Sequence, residues 1–402
     1  MSSKIVKGLL VTAVMLATGM DIPQADAAVF VQCPGDTNGD AIPDGAYDPN
    51  ALQCMHLTAG DGFISMADGK LQYMFGFADV TGLTEDQIMT TGTLAANFPA
   101  PTIVLKQGQE FYLSLTNVGM AIRPDLFDPH TVHFHGFPNA SSVFDGVPDA
   151  SISINGGSTL TYYYNLVEPG TYMYHCHVEA TEHMQMGMLG NLYVLPAQNN
   201  LPAGTDLNGF THQAGYQYVY NDGDGSTRYD VEVPIQIGSF DPVFHDASMN
   251  VQPLPFAEMK DRYPMLNGRG YPDTVDPLPL TPPAESGSPA PQPVSSLVSA
   301  NVGDKVLLRI SNLNVTNFYT LATNGLKMHV VGTGARLLRG PDGKDTAYDT
   351  NSITLGGGES VDVIIDTAGV SPGTYFLYTT NLNFLSNDGE DFGGMMTEIR
   401  IN

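Results

Sequence analysis

Positive charge is scarce in this chain of 402 residues, in which 16 lysines and arginines stand against 42 aspartates and glutamates. The formal net charge of −26 repels the phosphates of nucleic acids and anionic membranes, so neither is an expected partner. Cationic partners and metal ions are compatible with such a surface, although the charge also serves solubility alone. Long helical periodicities are lacking too, and 43 glycines and 28 prolines favour an all-β chain with many turns. The length predicts two or three domains.

Long apolar runs are confined to the N-terminus. An apolar stretch at residues 8–20 follows two lysines and precedes the small-x-small motif Ala25-Asp26-Ala27, an order typical of a cleaved secretory signal peptide. We therefore expect residues 1–27 to be removed on export, leaving a periplasmic or extracellular protein. No later segment has the length needed to cross a bilayer, so the sequence predicts no membrane span.

Cysteine is rare, with three residues in the whole chain. Cys33 and Cys54 flank a polar loop, and a disulfide between them is expected in an exported protein. Cys176 is left without a partner. An unpaired thiol in an oxidising compartment needs protection or a role, and a bound metal ion supplies both.

An Asp- and Gly-rich segment covers residues 28–55. Oxygen ligands at every second position suit a hard cation such as Ca²⁺, and the spacing resembles calcium loops of the thrombospondin type 3 or dockerin kind. The late glutamate of the full EF-hand pattern is missing, so the segment is either a calcium loop or an acidic turn. The candidate calcium ligands are Asp36, Asn38, Asp40 and Asp44.

Two β-rich regions follow, at residues 56–196 and 231–402, with a loop-rich linker at 197–230 between them. The strand-like stretch 108–117 has a counterpart of the same design at 303–312. Each is followed by Gly-Gly and then by Pro-Gly-Thr-Tyr, which indicates a duplicated domain. The second copy lacks the histidines and the cysteine that come after this landmark in the first.

Six of the ten histidines lie between residues 130 and 183. Side chains of a strand alternate between its faces, so His133 and His135 point the same way. His175 and His177 likewise share a face, while Cys176 points to the opposite one. Two His-x-His strands can therefore line one metal cluster, and Cys176 can serve a different metal ion on the other side.

The residues on the side of Cys176 predict a blue, or type 1, copper site. A thiolate with two imidazoles and a weak methionine ligand is typical of such copper, and soft sulfur favours copper over harder ions. The alternatives are zinc, or core histidines satisfied by hydrogen bonds. The candidate type 1 ligands are His130, Cys176, His183 and Met188.

These motifs resemble the multicopper oxidase family. The His-x-His-Gly segment at 133–136 and the His-Cys-His…His…Met segment at 175–188 are similar to its two signatures. The stretches 145–148 and 170–174 also resemble sequence motifs of the family, and residues 266–272 resemble the family's copper-free domain. The resemblance implies two tandem cupredoxin-like Greek-key β-barrel or sandwich domains, the first binding copper and the second without copper ligands.

The resemblance also implies a reaction. Type 1 copper takes single electrons from a small reductant, a phenol or a metal ion, and Cys176 passes them to a trinuclear copper cluster that reduces O₂. By the family pattern His133 binds type 2 copper, and type 3 copper is bound by His135, His175 and His177.

Two acidic residues match family positions that relay protons. They are Asp145 and Glu179, although a turn aspartate and a solvated glutamate would look the same in the sequence.

The chain departs from the family in the number of its histidines. A family trinuclear site uses eight, and in two-domain members four come from a neighbouring subunit, usually its second domain; a homotrimer is expected by that analogy. Here the later part of the chain offers only His212, His245 and His329. The sequence therefore leaves two hypotheses open. One is an exported multicopper oxidase, and the other is a non-enzymatic blue-copper electron-transfer or copper-binding protein with an incomplete cluster.

Copper nitrite reductase is a related two-domain family. It carries aspartate at the position of His133, and it has no histidine directly after the cysteine, where this chain has His177. Both differences point away from nitrite reduction.

Overall fold

The computed structural model describes residues 31–402, so the expected signal peptide at 1–27 lies outside the described residues. The predicted all-β fold is confirmed, because strands dominate and the helices of this part are short. None of these helices has the length and apolarity that crossing a bilayer would require. The α-helices are α1 (Glu85–Gly92), α2 (Ala180–Gln185) and α3 (Pro242–Ser248), and 3₁₀ turns occur at Ser142–Phe144, Ala197–Asn200, Phe256–Glu258, Asp273–Val275 and Leu382–Phe384.

The first group of strands builds two four-stranded sheets. They are β1 (Leu52–Ser65), β2 (Leu71–Asp79), β3 (Ala100–Lys106), β4 (Glu110–Gly119), β5 (His133–His135), β6 (Thr159–Asn165), β7 (Gly170–His175) and β8 (Leu189–Leu195). One sheet has the order β2-β1-β4-β6 and the other β3-β8-β7-β5. Alternate residues of β4 are buried between them, as a half-buried strand requires.

Two small ladders occupy the segment that the sequence predicts to be a loop-rich linker. They are formed by β9 (Asp206–Leu207) with β10 (Phe210–Thr211), and by β11 (Gln217–Tyr218) with β12 (Arg228–Tyr229). The linker is therefore more regular than its composition indicates.

The second group of strands builds a seven-stranded and a five-stranded sheet. The strands are β13 (Val231–Phe240), β14 (Tyr263–Leu266), β15 (Val298–Ala300), β16 (Lys305–Asn312), β17 (Tyr319–Thr323), β18 (Met328–Thr333), β19 (Arg336–Leu337), β20 (Tyr348–Thr350), β21 (Ser352–Leu355), β22 (Glu359–Asp366), β23 (Gly373–Thr379) and β24 (Met396–Ile401). The orders are β14-β13-β16-β22-β18-β19, with β20 beside β18, and β15-β24-β23-β17-β21.

The two repeated stretches of sequence, β4 and β16, hold equivalent places in their sheets. β4 pairs in parallel with β1 and antiparallel with β6, and β16 pairs in parallel with β13 and antiparallel with β22. The domain boundaries expected from the sequence stay a prediction.

Aromatic stacking fixes the strand that carries His133 and His135. The ring of Phe134, between these two histidines, is 1% exposed and stacks on Tyr164 with ring centroids 4.0 Å apart. Burial of such a ring stabilises the fold by about 2–3 kcal/mol. Because neighbouring side chains of a strand point to opposite faces, burying Phe134 turns both histidines to the other face of the sheet.

A buried polar network ties the second group of strands to β7. The Arg309 side chain is fully buried, lies 4.9 Å from the ring centroid of Tyr193 and donates a hydrogen bond to Thr171 Oγ1 at 3.0 Å. Asp362 accepts hydrogen bonds at 2.5 Å from Thr171 and Tyr220. Since β7 ends at His175, the second group of strands anchors the strand that carries this histidine.

Candidate metal centre

Cys176, His130 and His183 are brought together by three local structures. Cys176 comes directly after β7, and its backbone N–H donates to the carbonyl of Met188 at 3.1 Å. His130 sits in an isolated antiparallel bridge with Ile154. His183 lies in α2, whose N-cap Glu179 takes a left-handed conformation with φ of 44°. The chain thereby turns back on itself, and His183 faces the sulfur.

The sulfur and two imidazole nitrogens form a convergent group. Cys176 Sγ lies 3.2 Å from Nδ1 of His183 and 3.7 Å from Nδ1 of His130. All three side chains are fully buried. Within residues 31–402, the Nε2 atoms of both rings have no hydrogen-bond partner. Met188 is equally buried in the same apolar cluster, and its backbone N–H donates to the carbonyl of His183 at 2.8 Å.

Protonation in this group suits a soft metal ion. Burial lowers the pKa of His183 to about 4 and that of His130 well below its usual value, so both imidazoles are neutral at pH 7 and free to act as ligands. Burial raises the pKa of the Cys176 thiol to about 12. A metal ion must therefore displace the thiol proton when it binds. A thiolate and two imidazoles in a dry pocket are a donor set that fits copper.

A carboxyl group stands behind His183. Asp128 Oδ2 lies 4.0 Å from His183 Nε2, which is the nitrogen turned away from the sulfur. Burial raises the pKa of Asp128, and the charge of Glu179 raises it further. Glu179 itself is exposed and lies on this side of the site; its role in proton relay stays a prediction. The sequence reasoning missed Asp128, although its place two residues before His130 was a usable signal.

A second convergent group is formed by three histidines on neighbouring strands. β5 pairs antiparallel with β7, so that His133 lies opposite His175. One ring nitrogen from each of His133, His135 and His175 lies within 4.8 Å of the others, and His135 Nδ1 is 3.3 Å from His175 Nε2. His177 lies outside this group of three, although its ring centroid is 5.1 Å from that of His133.

Backbone carbonyls anchor the outer nitrogens of two of these rings. His133 Nδ1 lies 2.5 Å from the carbonyl oxygen of Asp145, and His175 Nδ1 lies 2.8 Å from that of Cys176. Donation of Nδ1–H to a carbonyl fixes the tautomer and leaves Nε2 free for a metal ion. Gly146 makes the first contact possible, because it has φ of 76° and a Cβ there would lie 2.2 Å from the carbonyl oxygen of Val132.

Asp145 also brings its carboxyl group near the same ring, with Oδ1 3.5 Å from His133 Nδ1. Burial lowers the pKa of His133 and of His135, and that of His175 to about 3. All three rings are thus neutral donors at pH 7. The two groups adjoin along the chain, because Cys176 belongs to one group and its neighbour His175 to the other.

The remaining histidines are His56, His212, His245 and His329. The first three are buried and their rings hydrogen-bond to a hydroxyl or to backbone carbonyls. The ring of His329 is partly exposed and pairs with Asp349 at 2.8 Å. Within residues 31–402, none of these four joins a convergent group of metal-binding side chains.

The candidate calcium loop is closed by its own hydrogen bonds. Asp36 accepts two backbone N–H groups at 2.8 Å, and one oxygen of Asp44 accepts from the N–H and the hydroxyl of Thr37. Asp40 accepts from a backbone N–H at 2.8 Å and from the amide of Asn38 at 3.0 Å. The expected disulfide between Cys33 and Cys54 is present in this region. Calcium binding stays a prediction.

Family models described as multicopper oxidase match the chain twice, at residues 79–199 and 267–397. Together they cover more than half of the 402 residues. The first match contains all eight predicted copper ligands.

Curated relatives are similar over parts of their length. The multicopper oxidase MmcO of Mycobacterium tuberculosis is 35% identical over 91 residues, which are 23% of this chain and 16% of that protein. Laccase-5 of Arabidopsis thaliana is 24% identical over 290 residues, which are 71% of this chain and 40% of that protein. The chain therefore spans well under half the length of these relatives.

Among solved structures, the blue copper oxidase from Nitrosomonas europaea is similar with a TM-score of 0.62 and 20% sequence identity. The alignment covers 87% of this chain and 86% of that one. At this identity the likeness shows a shared fold.

Proposed function

Because this chain belongs to the multicopper oxidase family, we propose that it is a copper-dependent oxidoreductase with type 1 copper bound by His130, Cys176, His183 and Met188. One observation carries the proposal: a buried sulfur faces two imidazole nitrogens at 3.2 and 3.7 Å. The neighbour of that cysteine, His175, belongs to the second group of convergent nitrogens. Copper bound at both groups supplies the one-electron chemistry that couples oxidation of a phenol or a metal ion to reduction of O₂.

The residues around Cys176 perform three tasks. They exclude water, since the thiol and both imidazoles are fully buried. They hold the rings in place, through the bridge of His130 to Ile154 and the turn before α2. They also connect the two groups covalently, because Cys176 follows His175 directly in the chain.

Asp145 orients His133 and is placed to carry a proton. Its carbonyl fixes the His133 tautomer at 2.5 Å, and its carboxyl group, which is about one-third exposed, lies 3.5 Å from the same nitrogen. A carboxylate between solvent and this ring can take protons from water and pass them to the histidine group. Glu179, which is exposed near Asp128, would carry protons on the side of the Cys176 group.

A second candidate function is a non-enzymatic electron carrier or copper-binding protein. The observation that favours it is the placement of the other four histidines, which are held by partners of their own outside the site. We also infer export as an extracellular or periplasmic protein and, by analogy with two-domain relatives, a homo-oligomer such as a trimer.

Oxygen consumption by the copper-loaded chain separates the two candidates. A phenol and ferrous ion are supplied in turn as reductants, and Cys176→Ser and His133→Ala are compared with wild type. We expect oxygen uptake that both substitutions abolish, with His329→Ala as a matched control that retains it. Full copper loading and a blue absorption band without oxygen uptake would refute the oxidase and support the electron carrier or copper-binding protein.

A further inference from the structure

We propose that His133, His135 and His175 form a mononuclear three-nitrogen metal site, to which the second group of strands supplies the backbone of Gly358 instead of further ligands. This proposal rests on the proposed function and specifies the second copper site of that function. A borderline divalent ion is the expected occupant, and Cu²⁺ is favoured because imidazole nitrogens bind it most tightly among the divalent metals of the first transition row.

The three nitrogens already converge on one position. They lie within 4.8 Å of one another, although β5 and β7 are separate strands. Two of the rings are held from behind by carbonyls of the first group of strands, at 2.5 Å for His133 and 2.8 Å for His175. Ligands with fixed tautomers and ring orientations are preorganised for metal binding.

The third ring is held from the other part of the fold. Gly358 of the second group of strands lies against the His135 ring. Gly358 has φ of 89°, and a Cβ built on it would lie 2.8 Å from His135 Nε2. Gly358 therefore closes the Nε2 side of His135. With Nε2 facing Gly358, His135 offers Nδ1 to the group, the atom found 3.3 Å from His175 Nε2.

The supply of donors limits the site to one ion. A second or third ion would need further imidazoles, and four of the five histidines of residues 31–402 outside the two groups are engaged elsewhere. The fifth, His177, is partly exposed and lies beside His133. The arrangement thus differs from the trinuclear cluster that the sequence motifs imply.

Two measurements test the proposal: the number of copper ions per chain and the magnetism of the bound ions. Wild type, Cys176→Ser and His133→Ala are saturated with Cu²⁺; total copper is measured by mass spectrometry and EPR-visible copper by spin integration. We expect two ions per chain in wild type, all EPR-visible, and one ion in each variant. The blue band should be lost in Cys176→Ser and retained in His133→Ala. His329→Ala is the matched control and should bind as wild type does.

Other results would overturn the proposal without touching the type 1 site. Three or more ions per chain, or copper that stays EPR-silent after full oxidation, would show a coupled cluster, including one pooled between two copies. A single ion with an intact blue band would show that the histidine group binds none. In His177→Ala we expect the copper count to stay unchanged, and loss of an ion would contradict a mononuclear site. A missing blue band in fully loaded wild type would instead contradict the proposed function.

Gly358→Ala tests the part assigned to the second group of strands. Its affinity for Cu²⁺, measured by titration in the Cys176→Ser background, should fall by about tenfold or more, as expected when a partner that orients a metal ligand is disturbed. Gly343→Ala is the matched control, because that glycine has φ of 79° but open space around it. In the wild-type background the blue band of Gly358→Ala should persist, which reports a folded protein. Equal affinities of the two glycine variants would contradict the role of Gly358.

Discussion

Replacement of Arg309 by methionine should strongly destabilise the contact between the second group of strands and β7. The arginine is fully buried, and Asp362, 1% exposed, lies 3.6 Å from it. At an effective dielectric constant of about 20, two charges at this distance attract by roughly 4–5 kcal/mol. Removal of one member of a buried pair leaves the other charge unpaired, at a cost of about 3–5 kcal/mol. We expect Arg309→Met to lower the free energy of unfolding by that amount.

The assay is urea unfolding followed by tyrosine fluorescence and circular dichroism, since the chain has no tryptophan. The double variant Arg309→Met/Asp362→Asn should recover much of the loss, because it leaves no buried charge and keeps an oxygen that can accept from the hydroxyls of Thr171 and Tyr220. Arg336→Met is the matched control: its side chain is 60% exposed in an ion pair with Glu168, and such pairs contribute little. A loss below about 1 kcal/mol for Arg309→Met, or a double variant as unstable as the single one, would refute the argument.

The loss in Arg309→Met should also depend on pH. Burial raises the pKa of Asp362, and the charge of Arg309 opposes that rise. Without the arginine the folded-state pKa of Asp362 rises further above its unfolded value. A group with a raised pKa favours the folded state at low pH, and this contribution is lost as pH rises. The variant should therefore lie closer to wild type at pH 5 than at pH 8.

Two further predictions concern single groups near the site. Asp128→Asn removes a negative charge 4.0 Å from His183 Nε2, which should destabilise the oxidised copper site and raise its reduction potential in a redox titration. The control is Asp125→Asn, which replaces an exposed carboxylate paired with Arg123 and should change the potential far less. Equal shifts of the potential in the two variants would contradict a specific role of Asp128. Burial lowers the pKa of His245 to about 4, below an unfolded value near 6.5, so this residue should cost about 3 kcal/mol of stability as pH falls from about 6.5 to 4. In urea unfolding, His245→Gln should therefore lose about 3 kcal/mol less stability than wild type over this pH range. An equal loss in the two proteins would contradict the prediction.

The parts of the site that the sequence predicted are those that depend on local geometry. A period of two along a strand is enough to separate Cys176 from His175, and the structure accordingly brings these residues into different groups. The abundance of turn residues was likewise enough to predict an all-β fold. The ladders at 206–229 were not foreseen, because strands of two residues leave no periodic signal.

The contacts that the sequence could not predict join residues far apart in the chain. Nothing near His135 indicates that Gly358 will lie against its ring, and nothing near Thr171 indicates Arg309. Such pairs depend on how two groups of sheets pack, which residue patterns within one strand do not encode. The acidic loop at 36–44 shows the reverse problem, since its spacing matches calcium loops while its carboxylates accept hydrogen bonds from the loop itself.

The visible absorption spectrum during a copper titration tests the central claim most directly. Wild type and Cys176→Ser are titrated with Cu²⁺ under identical conditions, with His329→Ala as the control. The ligand set of His130, Cys176, His183 and Met188 predicts an intense blue band in wild type and in the control, and none in Cys176→Ser. A blue band that persists without the Cys176 sulfur, or a wild type that saturates with copper and stays colourless, would contradict it.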